Sequence, residues 1–186
     1  MGCPKLLLPM GATTVIARML AALKRPGINA TIVVIRPDDE SLRLAVAQGG
    51  AIPLQPAVSP PEMRQSVELA LHYIADQYQP RPNDGWLLAP ADHPLLDPAI
   101  IDQIVAAWRT CTDQIHVPVY CEKRGHPTIF PFRLAPEVFQ LSSDQGLNCL
   151  LQRPTAQINS IKIDSPAVIA DLDTPEDYAR LQAEFA

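Results

Sequence analysis

No apolar run in this 186-residue chain approaches the ~18 residues that a membrane-spanning helix needs. The segment from Met1 to Met10 carries one lysine and a short Leu6–Leu8 run. It lacks the long apolar stretch of a signal peptide, so no secretory leader is expected. The four cysteines, Cys3, Cys111, Cys121 and Cys149, form no C-x-x-C pair, and no histidine stands at zinc-finger spacing from them. Free thiols in a reducing compartment are expected, which makes the cytoplasm the expected location. No block of lysine and arginine stands out, and the net charge is −5. Neither nucleic acid nor an anionic membrane surface is therefore an expected partner. A phosphorylated small molecule remains compatible, because a few local cations and a metal ion suffice to hold one. The chain also lacks internal repeats, low-complexity tracts and a linker that would divide it. A single domain over residues 1–186 is expected.

What is present is a normal apolar share, 47%, and twenty prolines, about twice the average usage. Most prolines sit where one element gives way to the next. Val15, Ile16, Met19, Leu20 and Leu23 recur at helical spacing, and the pattern stops at Pro26-Gly27. Thr31–Ile35 is a β-branched run that reads as a strand buried on both faces. Asp38 and Asp39 precede a second helix that ends at Gly49-Gly50, and a short strand fits 51–54. Ser59-Pro60-Pro61-Glu62 reads as a capping box opening a third helix. Its apolar face carries Met63, Val67, Ala70, Leu71 and Ile74. Trp86–Ala89 is another buried strand, and Asp97-Pro98 starts a helix with Ile100, Ile101, Ile104, Val105 and Trp108. Strands are expected at 115–119, 128–132 and 158–163, with short helices near 136–141 and 147–151. Thr174-Pro175-Glu176-Asp177 opens the last helix. Alternating helix and buried strand predicts a three-layer α/β fold, a mostly parallel sheet with helices on both faces. The less regular second half leaves room for an antiparallel strand.

Four constellations bear chemistry. Asp92, in Ala89-Pro90-Ala91-Asp92-His93-Pro94-Leu95, lies just past the end of a predicted strand. Ligands of open α/β sheets bind at those carboxyl ends, where a carboxylate can hold a metal ion. A turn aspartate before a proline is the plainer alternative. Asp171 and Asp173 flank Leu172; in an extended segment both carboxylates share a face. Like charges so placed repel unless a cation joins them, and Mg²⁺ suits oxygen ligands and phosphates. A solvated helix entry is the alternative there. In Arg124-Gly125-His126-Pro127 the glycine allows close backbone approach to a ligand, and His126 either contacts a substrate oxygen or satisfies a turn. Gly2 and Lys5, in Met1-Gly2-Cys3-Pro4-Lys5-Leu6-Leu7-Leu8-Pro9, suit a phosphate.

In this order the segments resemble the molybdenum-cofactor cytidylyltransferases, within the wider nucleotide-diphospho-sugar transferase fold. The family's M-G-x-P-K-x-L-L-P is similar to Met1-Gly2-Cys3-Pro4-Lys5-Leu6-Leu7-Leu8-Pro9. Its D-x-P-L is Asp92-His93-Pro94-Leu95, and its G-H-P is Gly125-His126-Pro127. Its G-D-x-G-A-R is partly kept in Ser143–Asn148, with Asn148 in place of the arginine. Its D-I-D-T-P-E-D is similar to Asp171-Leu172-Asp173-Thr174-Pro175-Glu176-Asp177. Its N-P-x-W-x-x-G-M-x-x-S stretch is eroded to Gln55–Ser66, where Met63 and Ser66 remain. The resemblance implies Mg²⁺-dependent transfer of CMP from CTP to molybdopterin, with pyrophosphate released. It implies catalytic roles for Lys5, on the triphosphate, and for Asp92. It implies Asp92, Asp171 and Asp173 as metal ligands. Gly2, Gly125, His126, Pro127, Met63 and Ser66 become the substrate-binding residues, and a molybdoenzyme becomes a recipient of the product. The family's first strand and its L-A-A-G-x-S-x-R phosphate loop have no counterpart in the chain. That leaves Thr31–Ile35 and Trp86–Ala89 without the neighbour they would share. An upstream start in the true protein is the favoured explanation. The alternatives are a shortened, non-catalytic relative that binds a pterin or nucleotide, or a related transferase using another nucleotide or a sugar phosphate.

Overall fold

A computed structural model describes residues 4–142 and 145–185. After a single 3-10 turn at Lys5–Leu7, β1 (Pro9–Met10) and β2 (Thr13–Thr14) form a small antiparallel hairpin. Helix α1 (Val15–Leu23) follows, capped by Thr14, whose hydroxyl accepts from the Ala17 amide. Then come β3 (Ile32–Val34), α2 (Glu40–Gln48), β4 (Ile52–Leu54), α3 (Met63–Tyr78), β5 (Gly85–Leu88) and α4 (Pro98–Thr110). The Asp39 and Asp97 carboxylates cap α2 and α4, each accepting from an amide three residues on, at 3.0 Å. The second half holds β6 (Ile115–Tyr120), β7 (Lys123–Arg124), β8 (Thr128–Pro131), α5 (Ala135–Phe139), α6 (Asn148–Gln152), β9 (Ile158–Lys162) and α7 (Pro175–Ala183). The fold is three-layer α/β. Among the described residues no helix is long and apolar enough to cross a membrane.

The sheet is mixed. β3 and β4 pair in parallel, as helix–strand alternation dictates. β8 lies between β5 and β6 and runs antiparallel to both, while β9 pairs with β6 in parallel. The antiparallel share exceeds the sequence expectation because β6 turns straight back through Cys121 and Glu122 into β7. Both turn residues have positive φ, 46° and 65°, the geometry of a two-residue hairpin whose twist matches its strands.

Strand β3 does not reach β5. It was expected to be buried on both faces, yet Ile32, Val33 and Val34 are each only half-buried. The reason is topological. The Ile35 amide donates to Leu54 and the Ile52 amide to Thr31, so alternate residues of β3 face β4. The edge bearing Ile32 and Val34 has no strand beside it among the described residues. Helices hold the two parts together instead. α1 sets Ile16 and Leu20 against Ile35, Leu42 and Val46, and Met19, Ala22 and Leu23 against Ile101, Ile104 and Ile129. On α3, Val67 and Leu71 pack on Trp86, Val117 and Phe130, and the helix also borders β3.

Helix α3 begins at Met63, and Ser59 does not cap it. A proline disfavours helical backbone in the residue before it. With prolines at 60 and 61, neither Ser59 nor Pro60 can enter the first turn. Met63 stays 59% exposed, whereas Val67 and Leu71 are buried as expected.

Candidate active site

Past the end of β5, the chain runs Ala89-Pro90-Ala91-Asp92 and turns through His93-Pro94. Helix α1 and the 171–173 segment both bond to this loop. The Arg18 guanidinium on α1 donates to the Pro94 carbonyl at 3.2 Å, and the Leu172 amide donates to the Asp92 carbonyl at 3.0 Å. The second bond lays the 171–173 segment along the Asp92 loop. Leu172 is fully buried against Met10, Val15 and Leu181. Burial of that leucine between two aspartates places Asp171 and Asp173 outward, on either side of it.

Lys5 completes the cluster. Its Nζ lies 2.8 Å from Asp92 Oδ2 and 3.0 Å from Asp173 Oδ1. Leu6 and Leu7 beside it pack against the buried cluster of Ile16, Leu20, Ile35, Leu42 and Val46, so the backbone there is anchored in the core. Partial burial lowers the Lys5 pKa, but hydrogen bonds and charge attraction from Asp92 and Asp173 outweigh it. The net shift is upward, and the ammonium stays charged.

Asp171 instead lines a pocket of about 320 Å³ together with Pro90, Asp92, His93, Gly125 and His126. The rings of His93 and His126 meet edge-on, 5.5 Å between centroids. Burial holds the His93 pKa below its usual value, against the opposing pull of Asp92 and Asp171. Burial, and then the neighbouring His93, do the same for His126. Each ring leaves a buried Nδ1 without a partner among the described residues.

Gly125 lines the pocket and also packs tightly on protein backbone. The close approach it permits is to protein backbone: a Cβ there would sit 2.2 Å from the Val168 carbonyl oxygen. Its amide donates to Pro118 at 2.8 Å, and the His126 amide donates to Val168 at 2.7 Å. These contacts seat the His126 loop beside the Asp92 loop.

The structure thus gathers Lys5, Asp92, Asp171, Asp173, Gly125 and His126 at the carboxyl end of β5. Pro127 is buried behind His126 and does not line the pocket. Met63 and Ser66, in the first turn of α3, do not line it either. Gly2, Ser143 and Asp144 lie outside the described residues. His93 and the Val168-Ile169 wall went unread in the sequence. His93 stands inside the D-x-P-L motif, in the position that the motif leaves free. The wall is set by a tertiary contact with no local signal.

A divalent cation suits this cluster. The oxygens of Asp92 and Asp173 already converge on one positive atom, the Lys5 ammonium, and carboxylate oxygens are the donors a hard cation prefers. Among the described residues no three His, Cys, Asp or Glu groups close on a single point.

Solved structures share this architecture. Rv0371c from Mycobacterium tuberculosis H37Rv superposes with a TM-score of 0.82 at 27% identity, over 98% of this chain and 91% of that one. Its manganese complex gives 0.79 at 27% identity, over 98% and 93%. A CMP:2-keto-3-deoxy-manno-octonic acid synthetase complexed with CTP gives 0.75 over 97% and 90%. At 14% identity, that likeness shows the fold alone. No curated protein matches the chain in sequence. The MobA-like NTP transferase domain matches residues 1–158, most of the chain, including Lys5, Asp92, His93, Gly125 and His126, so the protein belongs to that family of nucleotidyltransferases.

Proposed function

We propose that the protein transfers CMP from CTP to the terminal phosphate of molybdopterin, using Mg²⁺. The observation that carries this reading is the convergence of Asp92, Asp173 and Lys5 at the carboxyl end of β5. The motif resemblance supports the choice of nucleotide. The manganese held by Rv0371c supports the choice of a divalent ion. In the reaction an oxygen of the pterin phosphate bonds to the α-phosphorus of CTP. The bond to the bridging β-phosphate oxygen breaks, and pyrophosphate leaves.

Such a step asks the protein for positioning and charge neutralisation, with no covalent intermediate. Asp92 and Asp173 would hold the divalent ion, which would supply neutralisation of phosphate charge. Lys5 offsets charge on the triphosphate. The pocket of His93, Gly125 and His126 takes the acceptor beside them. Burial disfavours the charged form of both imidazoles, which limits their competition with a cation for the carboxylates.

The test is pyrophosphate release by the full-length protein with Mg²⁺ and molybdopterin, comparing CTP, GTP and UTP. The expected result is release that depends on the acceptor and is fastest with CTP. Faster release with GTP or UTP would reassign the nucleotide. No release from any of them by folded protein would end the reading.

A further inference from the structure

We propose that Lys5 is a built-in competitor for the metal position: its ammonium closes the Asp92–Asp173 site, and the divalent ion enters only by displacing it. The proposal rests on the reading of those aspartates as metal ligands. One nitrogen lies 2.8 Å from Asp92 and 3.0 Å from Asp173. Two carboxylates drawn to a single point leave no room for a second cation at that point. They would repel each other without one.

The displacement needs only a side-chain movement. Leu6 and Leu7 fix the backbone beside Lys5 in the core, whereas its side chain is 33% exposed and has four rotatable carbons. Metal binding then breaks two ion pairs and leaves the ammonium beside the site without an anion. A triphosphate arriving with the metal supplies that anion. Metal alone therefore binds weakly, and metal with nucleotide binds well. The same lysine that opposes the ion in the free protein favours the phosphates in the complex. Coupling of this kind is reciprocal, so it also holds back nucleotide that arrives without metal.

The experiment is titration with Mn²⁺ alone, followed by electron paramagnetic resonance of the free ion, with no nucleotide or acceptor present. Lys5→Met removes the competitor, and Mn²⁺ affinity should rise about tenfold relative to the natural protein. Lys5→Arg keeps a cation in place, and its affinity should stay near the natural value. Asp92→Asn should lose the site. Equal or weaker binding in Lys5→Met overturns the proposal, as does an Arg variant that binds as tightly as the Met variant. Unchanged binding in Asp92→Asn overturns it too. Circular dichroism shows that each variant is folded. Because no nucleotide is used, the outcome stands apart from whether CTP or a pterin is the substrate.

Discussion

At Asp177 one carboxylate closes the start of α7. It accepts from the Thr174 amide at 3.0 Å and from the Thr174 hydroxyl at 2.8 Å, while Thr174 accepts from the Asp177 amide at 3.1 Å. The Thr174 hydroxyl and then Arg180 hold the Asp177 pKa down, to about 2, below an ordinary 3.8. A depressed carboxyl pKa stabilises the fold above the unfolded value, and that stability is lost as pH falls through the folded one. Asp177→Asn should therefore melt at a lower temperature than the natural protein at pH 6. The gap should narrow as pH falls from about 3.8 toward 2. A gap that widens in acid would contradict this. Gly125 carries a second prediction. Since a Cβ would press on the Val168 carbonyl, Gly125→Ala should cost about 1–3 kcal/mol of stability, read by chemical denaturation. An alanine variant of natural stability would mean that the backbone yields there.

Short elements show where local signals suffice. The helix starts at Asp39, Asp97 and Thr174 were legible because a capping side chain acts on amides two or three residues away. Asp92 and the Asp171–Asp173 pair were legible as carboxylates at a strand end and in an extended segment. The first turn of α3 was misread because two prolines override a capping pattern. The Cys121-Glu122 turn was missed because neither residue belongs to the types that favour positive φ. That misfit can be tested. Glu122→Gly removes the Cβ strain at φ 65° and should stabilise the protein by about 1 kcal/mol, or about 2–4 °C in Tm. A lower Tm would mean that the glutamate makes a compensating contact. Which of Asp171 and Asp173 meets Lys5 depends on the Leu172 amide reaching Asp92, a contact between distant parts of the chain that no spacing rule reports.

Across the whole molecule, the site is where separate parts of the fold meet. The Asp92 loop comes from β5, Lys5 from the segment before β1, Asp173 from the approach to α7, and the histidine pocket from the loop before β8. Helices α1 and α3 bridge β3 and β5, and the Ile32–Val34 edge of β3 has no strand beside it among the described residues. Its outward amides should exchange with solvent much faster than those of β6, which is flanked by β8 and β9. Equal protection of the two strands would show that β3 has a partner on that edge. The proposed function rests on the cluster at the strand ends. Its most direct test is transfer of α-phosphate label from CTP to molybdopterin by Asp92→Asn, a change that removes one negative charge and little volume. The expected result is a folded protein whose kcat/KM falls by about a thousandfold or more, on the scale of losing one main electrostatic group. Transfer within tenfold of the natural rate would contradict the assignment of Asp92 and, with it, the placement of the active site.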